Sequence, residues 1–541
     1  MRSWGRWLSA TYLTVDPRSL GAFRLVFAVV LFSDLIRRWL VLDVWYVNSG
    51  LLPNHTLLWR PPASNMFSLF FTVSSAREAH LGFALCAAAY LMFLVGYRTH
   101  WAQGLVLLAR VSLNSRLAVL ENGGDMVMNL LCLLTLPLPL GARFSLDALA
   151  ARPEPDSPGA APASLTEIRN TPVVSIAMLA LLLQFSAIYL FNASSKSGLA
   201  WRDGSAVYYA LHQDKLVTWL GVWMREHVSI SVLRLLTWST LGIEWCAFML
   251  IISPLFSREA RLVAACVMPT LHASFALGLN LGGFSPAMIS FYPLLLQAEH
   301  WDWLTQRFAP RLRPIRDVYE RWGRSVLGLL PRSAVSVVPS RRWLSEGLVV
   351  MVLVAITCEA LNDNAAVPQA LRFAEPKWVK SFIEYPRILQ GWRMFASEPS
   401  RVDSMIYVDA TTATGAHVDP YNAVASDQRD PAGTVVPTHM GQSQFFVMYS
   451  ERIPYDGYAA YRTAFSEWLL AYPERTGHPE DCLLSYDVYL VTDRTPEPGT
   501  LGAPTPLDRQ RFMNYVAPYD SPCRHLAPAK KIARAATASD G

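Results

Sequence analysis

Apolar runs close to twenty residues long alternate with polar, arginine-rich connections through the first two thirds of the chain. A helix rises about 1.5 Å per residue, so about 20 apolar residues cross the ~30 Å hydrocarbon core of a bilayer. Runs of that kind fall at about residues 20–40, 80–97, 103–120, 125–140, 173–191, 230–252, 262–279, 282–297 and 347–361. The pattern predicts an all-α polytopic membrane helix bundle of about nine spans over residues 1–361. The third, fourth and eighth are the shortest or the most charged.

After residue 361 the pattern changes. Charge rises, and Pro, Gly, Asp and Thr punctuate shorter segments. "SMIYVDATTATG", "QFFVMYSERI" and "LLSYDVYLVT" read as strands bounded by turn residues. "AAYRTAFSEWLLAY" carries apolar residues at helical spacing. Residues 362–526 are therefore expected to form a small α+β domain, and 527–541, "APAKKIARAATASDG", a disordered tail.

Composition agrees with lipid. Of 541 residues 52% are hydrophobic and 16% charged, whereas soluble domains run nearer a quarter charged. Many of the 18 Trp and 21 Tyr sit at the ends of apolar runs, as interfacial aromatics do. A net charge of +5 with arginines clustered in loops gives no basic stripe for nucleic acid. Residues 1–18 are polar and basic, and no small-residue cleavage site follows, so the first run reads as a retained anchor.

The arginines also orient the bundle. Nine of them between Arg307 and Arg342 crowd the connection 298–345, which the positive-inside rule makes cytoplasmic. Arg2, Arg6 and Arg18 put the amino terminus on the same side, and the eight spans between keep the parity. The C-terminal domain is then extracytoplasmic. Cys482 and Cys523, its only two cysteines, are expected to pair there. Cys86, Cys132, Cys246, Cys266 and Cys358 read as small residues of the spans, and no Cys or His spacing resembles a zinc site.

Charges within spans are costly and each invites a reason. Arg24, Asp34, Arg110, Arg116, Asp125 and Glu244 either pair to hold the bundle together or serve a site, and Asp125 in "ENGGDM" suits a helix start. His272 in "PTLHASFALGLN" is a core histidine or a proton carrier. Lys196 in "NASSKSGLAW" has two readings. It either snorkels from the end of a span into water, or is withdrawn from water so that its neutral amine can act as a base. Trp201 and Tyr209 are candidates to wall a pocket around it.

At "YLFNASSKSGLAWRDGSAVYYAL" the chain resembles the vitamin K-dependent gamma-carboxylase superfamily, also called HTTM proteins. "DPRSLGAFRLVFAVVLFSDL" is similar to the opening helix of that family, and "ENGGDMVMNLL" with "LPLGARFSLDAL" to the fourth span of bacterial members. Its base lysine precedes a tryptophan by five residues, and a glycine follows three later. Lys196, Trp201 and Gly204 keep those intervals, and His272 stands twelve residues ahead of Phe284 as a family histidine does. The resemblance implies a vitamin K hydroquinone or another quinol as cofactor and no metal. Lys196 would be the base, with His272 beside it and Trp201, Tyr209 and Phe284 at the cofactor. The family's long lumenal portion and second active-site histidine have no counterpart here. Two functions therefore stand side by side: a quinol-dependent carboxylase-like enzyme of the bacterial inner membrane, or a non-enzymatic membrane protein whose outer domain binds or helps mature a secreted protein or peptide.

Overall fold

A computed structural model describes residues 2–151, 171–330, 342–424, 443–500 and 507–526. Among the described residues six helices are long and apolar enough to cross a membrane: Pro17–Trp39, Ala76–Val95, Ile176–Ser195, Ile230–Ile252, Ser257–Gly278 and Trp343–Asp363. Large apolar side chains on their outward faces are bare, among them Val29, Leu85, Leu235, Met249, Val263 and Val350. In water such a surface would be an aggregation liability, and against lipid it costs nothing.

The expected count of nine is not reached on length and composition. Thr99–Arg116 carries Gln103, Arg110, Asn114 and Arg116 on an 18-residue helix. Gly123–Leu134 and Phe284–Leu295 are apolar but short. At 1.5 Å per residue the 13 residues of Gly123–Thr135 reach only about 20 Å. The two short helices are largely buried in the bundle, and Thr99–Arg116 buries its polar second half while exposing Trp101, Leu105 and Leu108 on its first.

Buried charges tie these helices together. Arg38 and Arg110 both bridge Asp34 and Asp125 over 2.5 to 2.8 Å, joining Pro17–Trp39, Thr99–Arg116 and Gly123–Thr135. Asp125 also closes a capping box with Asn122, so it serves both readings at once. Arg24 makes no ion pair among the described residues. It donates instead to the carbonyls of Phe93 (2.7 Å), Leu94, Leu140 and Phe144, covering the C-terminal end of Ala76–Val95 as a cation suits a helix C-terminus. Arg116 stacks over the Tyr46 ring at 5.9 Å.

The C-terminal region is built on a four-stranded antiparallel sheet in the order His417–Val418, Val402–Thr412, Leu483–Arg494, Asp508–Val516. Two of the expected strands are there. "QFFVMYSERI" is not a strand but the helix Gln444–Ser450, whose Phe445, Phe446, Val447 and Tyr449 are buried. A short unbroken apolar run fits either element, and here it packs as a helix against the sheet and the bundle. Arg462–Leu470 is helical as its spacing predicts. Cys482 and Cys523 form a disulfide. The tail 527–541 lies outside the described residues.

The sheet region sits on one end of the bundle. Arg387 pairs with Glu121, Arg452 donates to the Glu121 carbonyl at 2.8 Å, and Tyr461 donates to the Arg60 carbonyl. Residues 386–398 run back among the helices. Asn129 donates to the Pro386 carbonyl (2.9 Å) and Gln184 to Gln390 Oε1 (2.7 Å). Lys196 lies at this covered end.

Candidate functional site

Ile176–Ser195 stops because its last turn turns on itself. The hydroxyls of Ser194 and Ser195 donate back to the Phe191 carbonyl (3.1 and 2.6 Å), and Lys196 leaves the helical region at φ −82°, ψ 67°. The chain then makes two short helices, Leu199–Arg202 and Ala206–Leu211, joined through Gly204 at φ +85°. A side chain at Gly204 would be strained by that φ and would meet Arg234 at 2.9 Å. The glycine spacing noted in the sequence thus has a local cause: Gly204 makes the turn between the two short helices, against Arg234 and Trp238.

Lys196 points inward. Its side chain is 3% exposed, and its Nζ lies 2.6 and 2.5 Å from the two carboxylate oxygens of Glu244, itself 4% exposed. Glu244 Oε1 also accepts from Asn192 Nδ2 at 3.0 Å, and Asn192 Oδ1 accepts from the Met394 amide at 2.9 Å. Over the amine stands the Trp201 ring, its centroid 4.5 Å away, in a cation–π arrangement. Trp201 is fixed in turn by its Nε1, which donates to the Phe395 carbonyl at 3.0 Å. Loss of water pushes the Lys196 amine below its ordinary value, against the opposing pull of Glu244. The snorkelling reading requires an amine in water, and this amine is enclosed.

His272 and Phe284 form a second group. Their rings meet edge-on at 5.6 Å. His272 Nε2 is 2.7 Å from the Tyr189 hydroxyl, which also bonds the Tyr292 hydroxyl. His272 Nδ1 is buried and has no hydrogen-bond partner among the described residues. The Lys196 charge reaches His272 electrostatically, and Glu244 reaches Tyr189. Phe284 is held by the glycines of "ENGGDM": a Cβ at Gly124 would lie 2.5 Å from the Phe284 amide nitrogen, so only a glycine admits this approach. Tyr209 stands apart from the amine. It is buried against Ala200, Trp201 and Ala206, with the Arg401 guanidinium over its ring at 4.9 Å.

The structure therefore brings Lys196 to Trp201 and His272 to Phe284, and sets Tyr209 behind Trp201. Sequence reasoning named Glu244 among the charges within spans without giving it a partner, and passed over Asn192, Tyr189 and Tyr292. A tyrosine in the middle of an apolar span was the available signal, since its hydroxyl needs a partner there. Met394 and Phe395 gave none, because nothing local shows that they return to the bundle. Among the described residues no group of His, Cys, Asp and Glu could hold a metal. No family model matches this chain, and no match is found among curated proteins or solved structures.

Proposed function

We propose that this chain is a multi-pass membrane protein, similar to the vitamin K-dependent gamma-carboxylases, that binds a quinol and takes up its proton on the Lys196–Glu244 pair. The observation that carries the proposal is the inward pose of Lys196 against a carboxylate from a second apolar helix. The pair is neutral overall whether its shared proton rests on nitrogen or on oxygen. In either form it accepts one further proton, ending as ammonium beside carboxylic acid. A surface lysine, always protonated near neutrality, has no such capacity.

The residues at hand suit a quinol. Trp201 and Phe284 offer aromatic faces, and the unpaired His272 Nδ1 and the tyrosine hydroxyls offer polar ends in an otherwise apolar interior. A bound quinol supplies an ionisable hydroxyl and reducing equivalents, which in the carboxylases serve carbon dioxide fixation with oxygen. Lys196 and Glu244 hold and move the proton, Trp201 excludes water from the amine, and His272 with Tyr189 and Tyr292 orients what lies between.

In this reading the bundle crosses the membrane nine times, its amino terminus is cytoplasmic, and the C-terminal domain is extracytoplasmic in a bacterial inner membrane. Parity supports it, because residues 18–24, 93–99, 140–149 and 296–302 gather at one end. Residues 60–65, 119–121 and 384–398 gather at the other.

The test is extraction of lipids from the purified protein and mass spectrometry for a quinone. A quinone should accompany the wild type, and Lys196→Ala should abolish quinol-dependent activity while inserting normally. No bound quinone, together with activity indifferent to Lys196, would leave the non-enzymatic reading.

A further inference from the structure

The 32-residue helix Ala298–Leu329 lies at the end of the bundle opposite Lys196 and falls where the sequence suggested only a basic connection. It runs across that end. Trp301 donates to Ser19 Oγ at 2.8 Å and Arg18 reaches Asp302 at 2.6 Å. Twenty-two residues on, or about 33 Å of helix, Gly323 presses on Leu146 and Leu149.

Only part of its apolar stripe is used by these contacts. Ile315, Val318, Trp322 and Leu329 are 67, 56, 48 and 86% exposed. Their spacings of three, four and seven residues put them along one edge of the helix, beside the buried stripe. Around them, Arg307, Arg311, Arg313, Arg316, Arg321 and Arg324 are all exposed, against only Asp317 and Glu320 in the same stretch. An exposed strip of tryptophan and branched side chains bordered by arginine is what a helix lying in a membrane interface presents. In contact with solvent alone, the strip would be an unused apolar face.

We infer that Ala298–Leu329 lies in the headgroup plane, its bare strip among the upper acyl chains, and that its arginines bind anionic phospholipid headgroups. Charge complementarity selects that occupant: each arginine near an anionic leaflet strengthens binding about fivefold, and neutral lipid offers no such gain. The choice of the cytoplasmic leaflet rests on the topology proposed above.

The experiment compares full-length protein with the variant Arg307→Gln/Arg311→Gln/Arg321→Gln/Arg324→Gln, each reconstituted in nanodiscs of phosphatidylcholine and phosphatidylglycerol. Lipid retained after mild delipidation is then counted. The wild type should retain phosphatidylglycerol preferentially, and the variant should lose that preference on the order of tenfold or more. Brominated lipid should quench wild-type fluorescence more than that of Trp322→Phe, a comparison that holds even if the arginine variant folds poorly. Equal phosphatidylglycerol retention, or quenching indifferent to Trp322, overturns the inference. So does loss of a co-purifying acidic protein with lipid retention unchanged. Labelling of Ser325→Cys from either side of sealed vesicles tests the topology separately.

Discussion

Lys196 and Glu244 are 48 residues apart in the chain and share two hydrogen bonds of 2.6 and 2.5 Å inside the bundle. Neither charge is tolerable there alone, and each explains the other. The pair joins the end of Ile176–Ser195 to the interior of Ile230–Ile252.

Removing one partner strands the other. Lys196→Met or Glu244→Gln should each destabilise the protein by about 3–5 kcal/mol, because an uncompensated charge stays buried. The double variant, with no charge to strand, should recover most of that loss. Thermal unfolding of the four proteins in one detergent reads the cycle, and additive single effects would mean that the pair is not formed.

Gly124 should be intolerant where Gly104 is not. A methyl group at Gly124 would sit 2.5 Å from the Phe284 backbone, which has to move, whereas nothing lies within 4 Å at Gly104. Gly124→Ala should cost about 1–3 kcal/mol and displace Phe284 from His272. Gly104→Ala, on a helix, should be neutral or stabilise by up to about 1 kcal/mol. Melting temperatures that fall equally for both would remove the argument from close packing.

The membrane character was legible because hydropathy is a local property of the chain. The packing that decides the site is not local. Lys196 and Trp201 share one segment, so their encounter could be foreseen from spacing. Glu244 and Met394 come from elsewhere, and only the fold brings them in. Ala298–Leu329 was hidden for a different reason: Pro310 and Pro314 interrupt it, and prolines with arginines read as a loop. "QFFVMYSERI" failed because an unbroken apolar run has no period to read.

Asp419 gives the sheet region a pH dependence. Burial raises its carboxyl to about 6 from an ordinary 3.8, outweighing the hydrogen bonds it accepts from Asn422, Val408 and Tyr421. A raised folded value means that the protonated form is favoured by folding. Its contribution is complete below about 3.8 and is lost as pH rises through about 6. Over that window the sheet region should lose about 3 kcal/mol from this group. Asp419→Asn, which titrates nowhere, should flatten the difference. Unfolding of the sheet region followed from pH 4 to 7 checks it, and parallel curves for the two proteins would refute it.

The Cys482–Cys523 bridge closes a loop of 41 residues, which the chain-entropy account converts to about 4 kcal/mol of stability. It ties the start of Leu483–Arg494 to the short helix Pro522–His525, beyond the edge strand Asp508–Val516. That strand is mostly exposed and has one partner in the sheet, so little else holds it. Reduction, or Cys482→Ser with Cys523→Ser, should therefore loosen the edge strand first and leave the helices untouched. Amide exchange should quicken across Asp508–Val516 while Ile176–Ser195 keeps its protection. Unchanged exchange in the edge strand after reduction would show that the sheet holds it without the bridge.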